Sequence, residues 1–124
     1  MPCTPAAARE ARQFVSEQLS RWGVASAGPD CFVNDAVLVA SELVANAVRY
    51  CSGEVALCLE CRPAYLEIAV RDHNPELPEA KQPDMTAESG RGLAIVAALC
   101  SEWGVRPEDS HGKVVWGRIA TRAS

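Results

Sequence analysis

One stretch of the chain carries more structural information than any other: Val37-Leu-Val-Ala-Ser-Glu-Leu-Val-Ala-Asn-Ala-Val-Arg-Tyr50. Its composition predicts a helix that is apolar on nearly every side, although the same helix carries Glu42 and Asn46. Side chains four residues apart project from one face of a helix, one turn above the other. A carboxylate and an amide among valines and leucines cost free energy unless each has a partner. We therefore expect both side chains to have a specific role.

Two roles fit this pair of side chains. In the first, they act on a phosphate: the Glu42 carboxylate takes the proton of a hydroxyl, and the Asn46 amide oxygen is a hard neutral ligand suited to Mg2+. In the second, Glu42 lies at the edge of the helix and Asn46 caps a neighbouring segment. The helix alone does not separate these two interpretations.

Length and composition limit the class of protein. The chain has 124 residues, 48% of them hydrophobic, which predicts one globular domain spanning residues 1–124. Its net charge of -4, with no basic run, argues against a nucleic-acid partner. No apolar run approaches the about 18 residues of a membrane span, and the first residues do not resemble a secretory signal. We expect a cytoplasmic protein with no membrane partner.

Six cysteines raise the question of a metal or disulfide. Cys58 and Cys61 are close in sequence, but in a strand they point to opposite faces, which argues against a shared metal. We expect the cysteines to be reduced and half-buried. A metal or thiol-redox function is the least favoured interpretation.

The pattern of apolar residues and turns predicts an α+β two-layer sandwich, with a mostly antiparallel sheet and helices on one face. Phe14 and Trp22 are assigned to the core, with packing against a second copy as the alternative. The first predicted helix starts at Thr4-Pro5 and is ended by Gly23, and the second runs from an Asp30 cap to about Tyr50. A hairpin turning at Pro63-Ala64 follows, and then an irregular loop over 72–89. The remaining predicted elements are a helix opened by Gly90 and strands at 103–105 and 114–119.

Two further polar sites lie at the ends of predicted elements. Strand parity places Asp72 on the same buried face as Leu66, Ile68 and Val70, so its carboxylate needs a donor. The exocyclic amine of adenine is one such donor; the alternative is an aspartate that caps the following turn. Gly90-Arg91-Gly92 precedes a helix, where backbone N–H groups and the helix dipole suit phosphate oxygens. The alternative there is an ordinary loop-to-helix joint.

The chain resembles the anti-sigma-factor serine kinases, a branch of the GHKL (Bergerat-fold) ATPase superfamily, along nearly its whole length. It is most similar to the short standalone histidine-kinase-like ATP-binding proteins of that branch. The matching segments occur in the family's order and spacing: Ser41-Glu-Leu-Val-Ala-Asn-Ala-Val-Arg49, Val70-Arg-Asp-His-Asn-Pro75, Gly90-Arg-Gly-Leu-Ala-Ile-Val96, Trp103-Gly-Val105 and Gly112-Lys-Val-Val-Trp116.

The resemblance implies a role for each matching position. It makes Glu42 the catalytic residue that activates the attacking hydroxyl, and Asn46 the Mg2+ ligand. Asp72 reads the adenine amine, and the segment between Asp72 and Gly90 is an ATP lid. The positions implied to bind the nucleotide are Asn46, Arg49, Asp72, Asn74, Gly90, Arg91, Gly92 and Leu93.

The resemblance also implies partners and an activity. Such proteins bind a sigma factor, and some phosphorylate a serine on a small anti-anti-sigma (STAS-type) partner; they often form homodimers. This predicts an ATP- and Mg2+-dependent serine/threonine protein kinase. One alternative is a nucleotide-gated binding protein without useful kinase activity, and another is an α+β interaction domain whose polar residues are structural.

Two departures from the family pattern concern ATP affinity more than the fold. His73-Asn74 stands where a glycine usually follows the aspartate, although asparagine tolerates left-handed backbone conformations. Val114 stands where a threonine is common, which removes one hydroxyl contact.

Overall fold

A computed structural model of the protein describes Thr4 and residues 6–23, 32–50, 54–73, 94–108 and 112–121. The two long helices are followed by two strands, a short helix at 94–99, and two further strands. The elements are α1 (Ala7–Trp22), α2 (Phe32–Tyr50), β1 (Ala56–Cys61), β2 (Tyr65–Asp72), β3 (Glu102–Pro107) and β4 (Lys113–Ala120).

The four strands form one sheet in the order β1-β2-β4-β3, and each neighbouring pair is antiparallel. α2 packs on β2 and β4, and α1 packs against α2. This arrangement confirms the predicted α+β sandwich with an antiparallel sheet. The predicted hairpin is present as β1 and β2, joined through Pro63 and Ala64.

Alternation along β2 and β4 separates the two faces of the sheet. Register pairs Leu66 with Ile119, Ile68 with Gly117, Val70 with Val115, and Asp72 with Lys113. All of these residues lie on the inner face, which is covered by helices, and the three rows before Asp72 are apolar. The buried hydrophobic residues of the core are Ala7, Ala11, Val15, Leu19, Phe32, Ala36, Val39, Ala40, Leu43, Val44, Ala47, Val55, Leu66, Ile68, Val70, Val96, Val114, Val115 and Ile119.

Two observations fix the direction of α2 over the sheet. Near the start of α2, Asp35 lines a cavity together with Ile119 and Ala120 at the end of β4. Further along α2, Val39 lies close to Gly117, where an added Cβ would be 3.7 Å from Val39 Cγ1. α2 therefore runs antiparallel to β4, and its C-terminal half points toward the end of the sheet where β4 begins and β2 ends.

The structure corrects three sequence-based predictions for α1. The helix begins at Ala7 with Ala6 as N-cap and no side-chain cap hydrogen bond, so Thr4 does not cap it; the Thr4 carbonyl accepts a bond from the Ala7 amide. Phe14 and Trp22 are 41% and 42% exposed, so neither belongs to the core. The buried stripe of α1 recurs every four residues, at 7, 11, 15 and 19, and both aromatic residues lie beside it.

The predicted stop at Gly23 is confirmed. Gly23 has φ 69°, and its amide donates to the carbonyls of Leu19 and Ser20, which otherwise lack partners at the helix end. A Cβ at this position would meet no atom within 4 Å, so a substitution there tests backbone conformation without a packing change.

We predict that Gly23→Ala lowers the free energy of unfolding by about 1 kcal/mol, because alanine pays for the left-handed conformation that glycine adopts freely. Urea denaturation followed by circular dichroism measures this change. An alanine variant as stable as the parent would contradict the conformation described at this helix end.

Candidate functional site

The end of the sheet carries a buried ion pair. Asp72 is 1% exposed and Lys113 is 4% exposed, and Lys113 Nζ donates to Asp72 Oδ1 over 3.1 Å. The two residues are the last of β2 and the first of β4, and they face each other in the register. The sequence-based prediction that Asp72 lies on the buried face and needs a donor is thus confirmed, and Lys113 is one donor that the structure supplies.

Gly112 makes this close approach possible. A Cβ on Gly112 would lie 2.3 Å from the carbonyl oxygen of Asp72 and 3.3 Å from the Cα of His73. Both are backbone atoms, which cannot rotate away from a side chain. Only glycine therefore lets the chain enter β4 directly against the end of β2.

Asn46 and Glu42 lie on α2 as predicted, one turn apart. Asn46 is 9% exposed and Glu42 is partly exposed. Asn46 is seven residues beyond Val39, a distance of roughly 10 Å along the helix axis. The same distance spans about three residues of a β-strand. Because Val39 lies over Gly117, Asn46 is level with the first residues of β4, at the same end as the Lys113–Asp72 pair.

The structure therefore brings two of the predicted residues, Asn46 and Asp72, to one end of the molecule, and Glu42 lies one helical turn back along α2. Arg49 lies in the last turn of α2 and is exposed. The remaining predicted nucleotide-binding residues are outside the described part of the chain: Asn74, Gly90, Arg91, Gly92 and Leu93. The predicted lid also lies outside it.

Sequence reasoning missed Lys113 as a site residue. A signal was available, because the alternation that buries Val115 and Ile119 also assigns Lys113 to the inner face. The predicted strand started at Val114, so strand parity was not applied to Lys113, the residue just before it. Combined with a buried aspartate in need of a donor, strand parity would have predicted the pair.

The opposite face of the sheet carries a second set of charges. The Arg118 guanidinium lies 4.7 Å from the Tyr65 ring centroid and 4.8 Å from that of Trp116. It donates to Glu67 over 2.9 Å and to Glu102 over 3.2 Å, and the bond to Glu67 raises the pKa of Arg118. This network holds an outer strand surface together.

Two cavities formed by described residues are lined by neither Asn46 nor Asp72. One, of about 300 Å³, lies on the outer face of the sheet and is lined by both acidic and basic side chains, including Glu67, Arg71 and Arg106. The other, of about 330 Å³, is mostly apolar and lies between the start of α2 and the end of β4. The first cavity lies on the face of the sheet opposite the ion pair, and its lining includes Arg71 and Val114, the chain neighbours of Asp72 and Lys113. The second cavity lies at the other end of the sheet from the ion pair.

The described cysteines are free thiols. Cys58 and Cys61 are exposed, so the expectation that they are half-buried is wrong; Cys100 is partly buried. Burial, together with the nearby Asp35, raises the pKa of the Cys100 thiol to about 11, which keeps it protonated at neutral pH. Within the described residues, no group of three or more potential metal-ligating side chains occurs.

Among the described helices, none combines the length and hydropathy that a membrane span requires.

A buried aspartate at a strand end, level with a helix asparagine on the covered face of an antiparallel sheet, agrees with the arrangement that the resemblance to GHKL ATPases implies. The model of the histidine kinase-like ATPase domain family matches residues 1–119. The chain therefore belongs to this family, and the GHKL-type ATPase fold is confirmed. Among curated proteins, no significant match to the chain is found.

We predict that Gly112→Ala destabilises the protein by about 1–3 kcal/mol, the usual cost of forcing an extra carbon into a packed site. Its Cβ would push the end of β2 away from Lys113, so nucleotide affinity should fall as well. Thermal unfolding and calorimetric titration with Mg-ATP measure the two effects.

Gly23→Ala is the matched control for Gly112→Ala, because Gly23 lies at the end of α1 and its substitution should lower stability without changing affinity. If Gly112→Ala retained the parent's stability and affinity, the close approach at Gly112 would be wrong.

Proposed function

We propose that this protein binds Mg-ATP at the end of the sheet marked by Asp72 and transfers the γ-phosphoryl group to a serine on a protein partner. The proposed partner is a small anti-anti-sigma (STAS-type) protein, and a sigma factor is the second proposed partner. Two points support this proposal: the position of Asn46 on α2, which by helix length is level with the Asp72 end of the sheet, and membership of the histidine kinase-like ATPase domain family.

The residues present fit Mg2+ that is shared with phosphates. Mg2+ bound to a nucleotide is usually held by one or two protein oxygens together with phosphate oxygens and waters. The Asn46 carboxamide supplies one hard oxygen from a largely buried position on α2. The absence of a larger acidic cluster among the described residues agrees with a metal that arrives with its nucleotide.

Glu42 is the proposed general base. In the proposed step the serine oxygen forms a bond to the γ-phosphorus, the bond from that phosphorus to the bridging oxygen breaks, and ADP leaves. The serine proton passes to the Glu42 carboxylate, which is partly exposed and so accessible to a partner. Catalysis of phosphoryl transfer depends mainly on positioning and charge stabilisation, and a positioned base adds about 100- to 10,000-fold.

Asn46→Ala tests the metal ligand. Loss of an outer-shell partner lowers metal affinity by about 10- to 100-fold, and loss of a direct ligand should cost at least as much. We predict weaker ATP binding in the presence of Mg2+, measured by calorimetry, and no such loss in EDTA. Asn34→Ala is the matched control, because Asn34 is exposed on the same helix. A loss that persists in EDTA would indicate a structural role for Asn46 instead.

Glu42→Gln tests the base. We predict unchanged Mg-ATP affinity and a transfer rate lower by about 100- to 10,000-fold, measured with radiolabelled ATP and a serine-bearing STAS-type partner. Glu17→Gln, at an exposed carboxylate on α1, should leave both unchanged.

The parent protein's own result in this assay separates the two nucleotide-dependent functions. Tight Mg-ATP binding with no phosphoryl transfer to any such partner would favour a nucleotide-gated binding protein over a kinase. No adenine-nucleotide binding at all would overturn both.

A further inference from the structure

The Lys113–Asp72 pair places an ammonium and a carboxylate side by side, in a buried position at the end of the sheet where the nucleobase is proposed to bind. Lys113 Nζ and Asp72 Oδ1 are 3.1 Å apart, and their side chains are 5% and 1% exposed. The three preceding rows of the inner face are apolar, so the pair is the point at which this face becomes charged.

The burial of this pair points to a role other than stability, because a buried ion pair usually adds little net stability. Removing two charges from water costs about as much free energy as their attraction returns, and well-packed apolar residues of similar size often serve as well or better. A lysine and an aspartate at this row therefore suggest recognition of a polar group. The ammonium can donate three hydrogen bonds, and the bond to Asp72 Oδ1 is one of them.

Adenine has a matching edge. Its exocyclic 6-amino group is a donor, and the adjacent ring nitrogen N1 is an acceptor. We propose that Lys113 is a second base-reading residue, whose ammonium donates to N1 while Asp72 accepts from the 6-amino group. This inference rests on the proposed nucleotide-binding function and adds a residue to it. Because neither side chain is accessible, base reading requires a local opening at this end of the sheet.

The same pair rejects guanine held in the same orientation. Guanine has an acceptor, O6, at the ring position where adenine has its amino group, and a donor, N1–H, where adenine has its acceptor. The carboxylate would then face a carbonyl oxygen, and the ammonium would face an N–H group. Sites with fixed polar groups reject mismatched ligands strongly, because the buried groups are left without partners. Asp72 alone would distinguish the two bases only at the exocyclic group, whereas the pair also distinguishes them at N1.

The test compares ATP with 1-deaza-ATP, in which C–H replaces N1 and the 6-amino group is kept. We expect the parent protein to bind 1-deaza-ATP about 10- to 100-fold more weakly than ATP, the loss of one hydrogen bond to a charged group. Calorimetric titration in the presence of Mg2+ measures both affinities. Equal affinities in the parent protein would overturn the role of Lys113.

Variants assign the effect to the side chain. Lys113→Met should bind ATP and 1-deaza-ATP equally. If that variant fails to fold because it leaves an isolated buried carboxylate, the double variant Asp72→Asn/Lys113→Met removes both charges. The double variant should also bind the two nucleotides equally. Arg106→Met, which removes a positive charge from the neighbouring strand at an exposed position, should retain the parent's discrimination. Discrimination that persists without Lys113 would overturn the proposal.

The result also separates this proposal from the proposed function. If the parent protein binds neither ATP nor 1-deaza-ATP, the nucleotide site fails and the role of Lys113 fails with it. If ATP binds tightly and 1-deaza-ATP binds as well, the nucleotide site stands and only the role of Lys113 is overturned.

Discussion

The buried ion pair between Lys113 and Asp72 is the interaction on which the end of the sheet proposed as the nucleotide site depends. It joins the first residue of β4 to the last residue of β2, at the row where the inner face of the sheet changes from apolar to charged. A one-residue slip between these strands would move Lys113 to the outer face and leave Asp72 buried without it. Removing one partner of such a pair typically costs about 3–5 kcal/mol, so the pair and the register support each other.

The two faces of the sheet use charge differently. On the inner face, few polar groups lie at one end, and they are nearly inaccessible. On the outer face, Arg118 lies between two aromatic rings and is bonded to Glu67 and Glu102, in a network that is partly solvated. Exposed ion pairs contribute little stability individually, and the acids and bases of the outer face largely neutralise one another. The inner end is proposed for ligand chemistry because Asn46 of α2 is level with it.

Much of this arrangement follows from the sequence, because period-two alternation reports which face of a strand is buried. That rule predicted the hairpin and the burial of Asp72. The same rule, applied one residue earlier in β4, would have predicted the burial of Lys113, but buried lysines are rare and turn residues are common. The exposure of Phe14 and Trp22 was not predictable from hydrophobicity, since the stripe of α1 that packs on α2 uses small alanines at 7 and 11. The close approach of Gly112 to the backbone of Asp72 and His73 is a tertiary contact, so the local sequence does not predict it.

The central claim is that Asn46, Asp72 and Lys113 belong to one nucleotide site at one end of the sheet. Backbone amide chemical shifts, recorded by NMR during titration with Mg2+ and a non-hydrolysable ATP analogue, test it most directly. We predict that the largest changes fall on the amides of Asn46, Asp72 and Lys113, while the indole N–H of Trp116 on the outer face stays unchanged. Changes centred on the outer face, or on the cavity beside Asp35 and Ile119, with the Asp72 end unaffected, would contradict it.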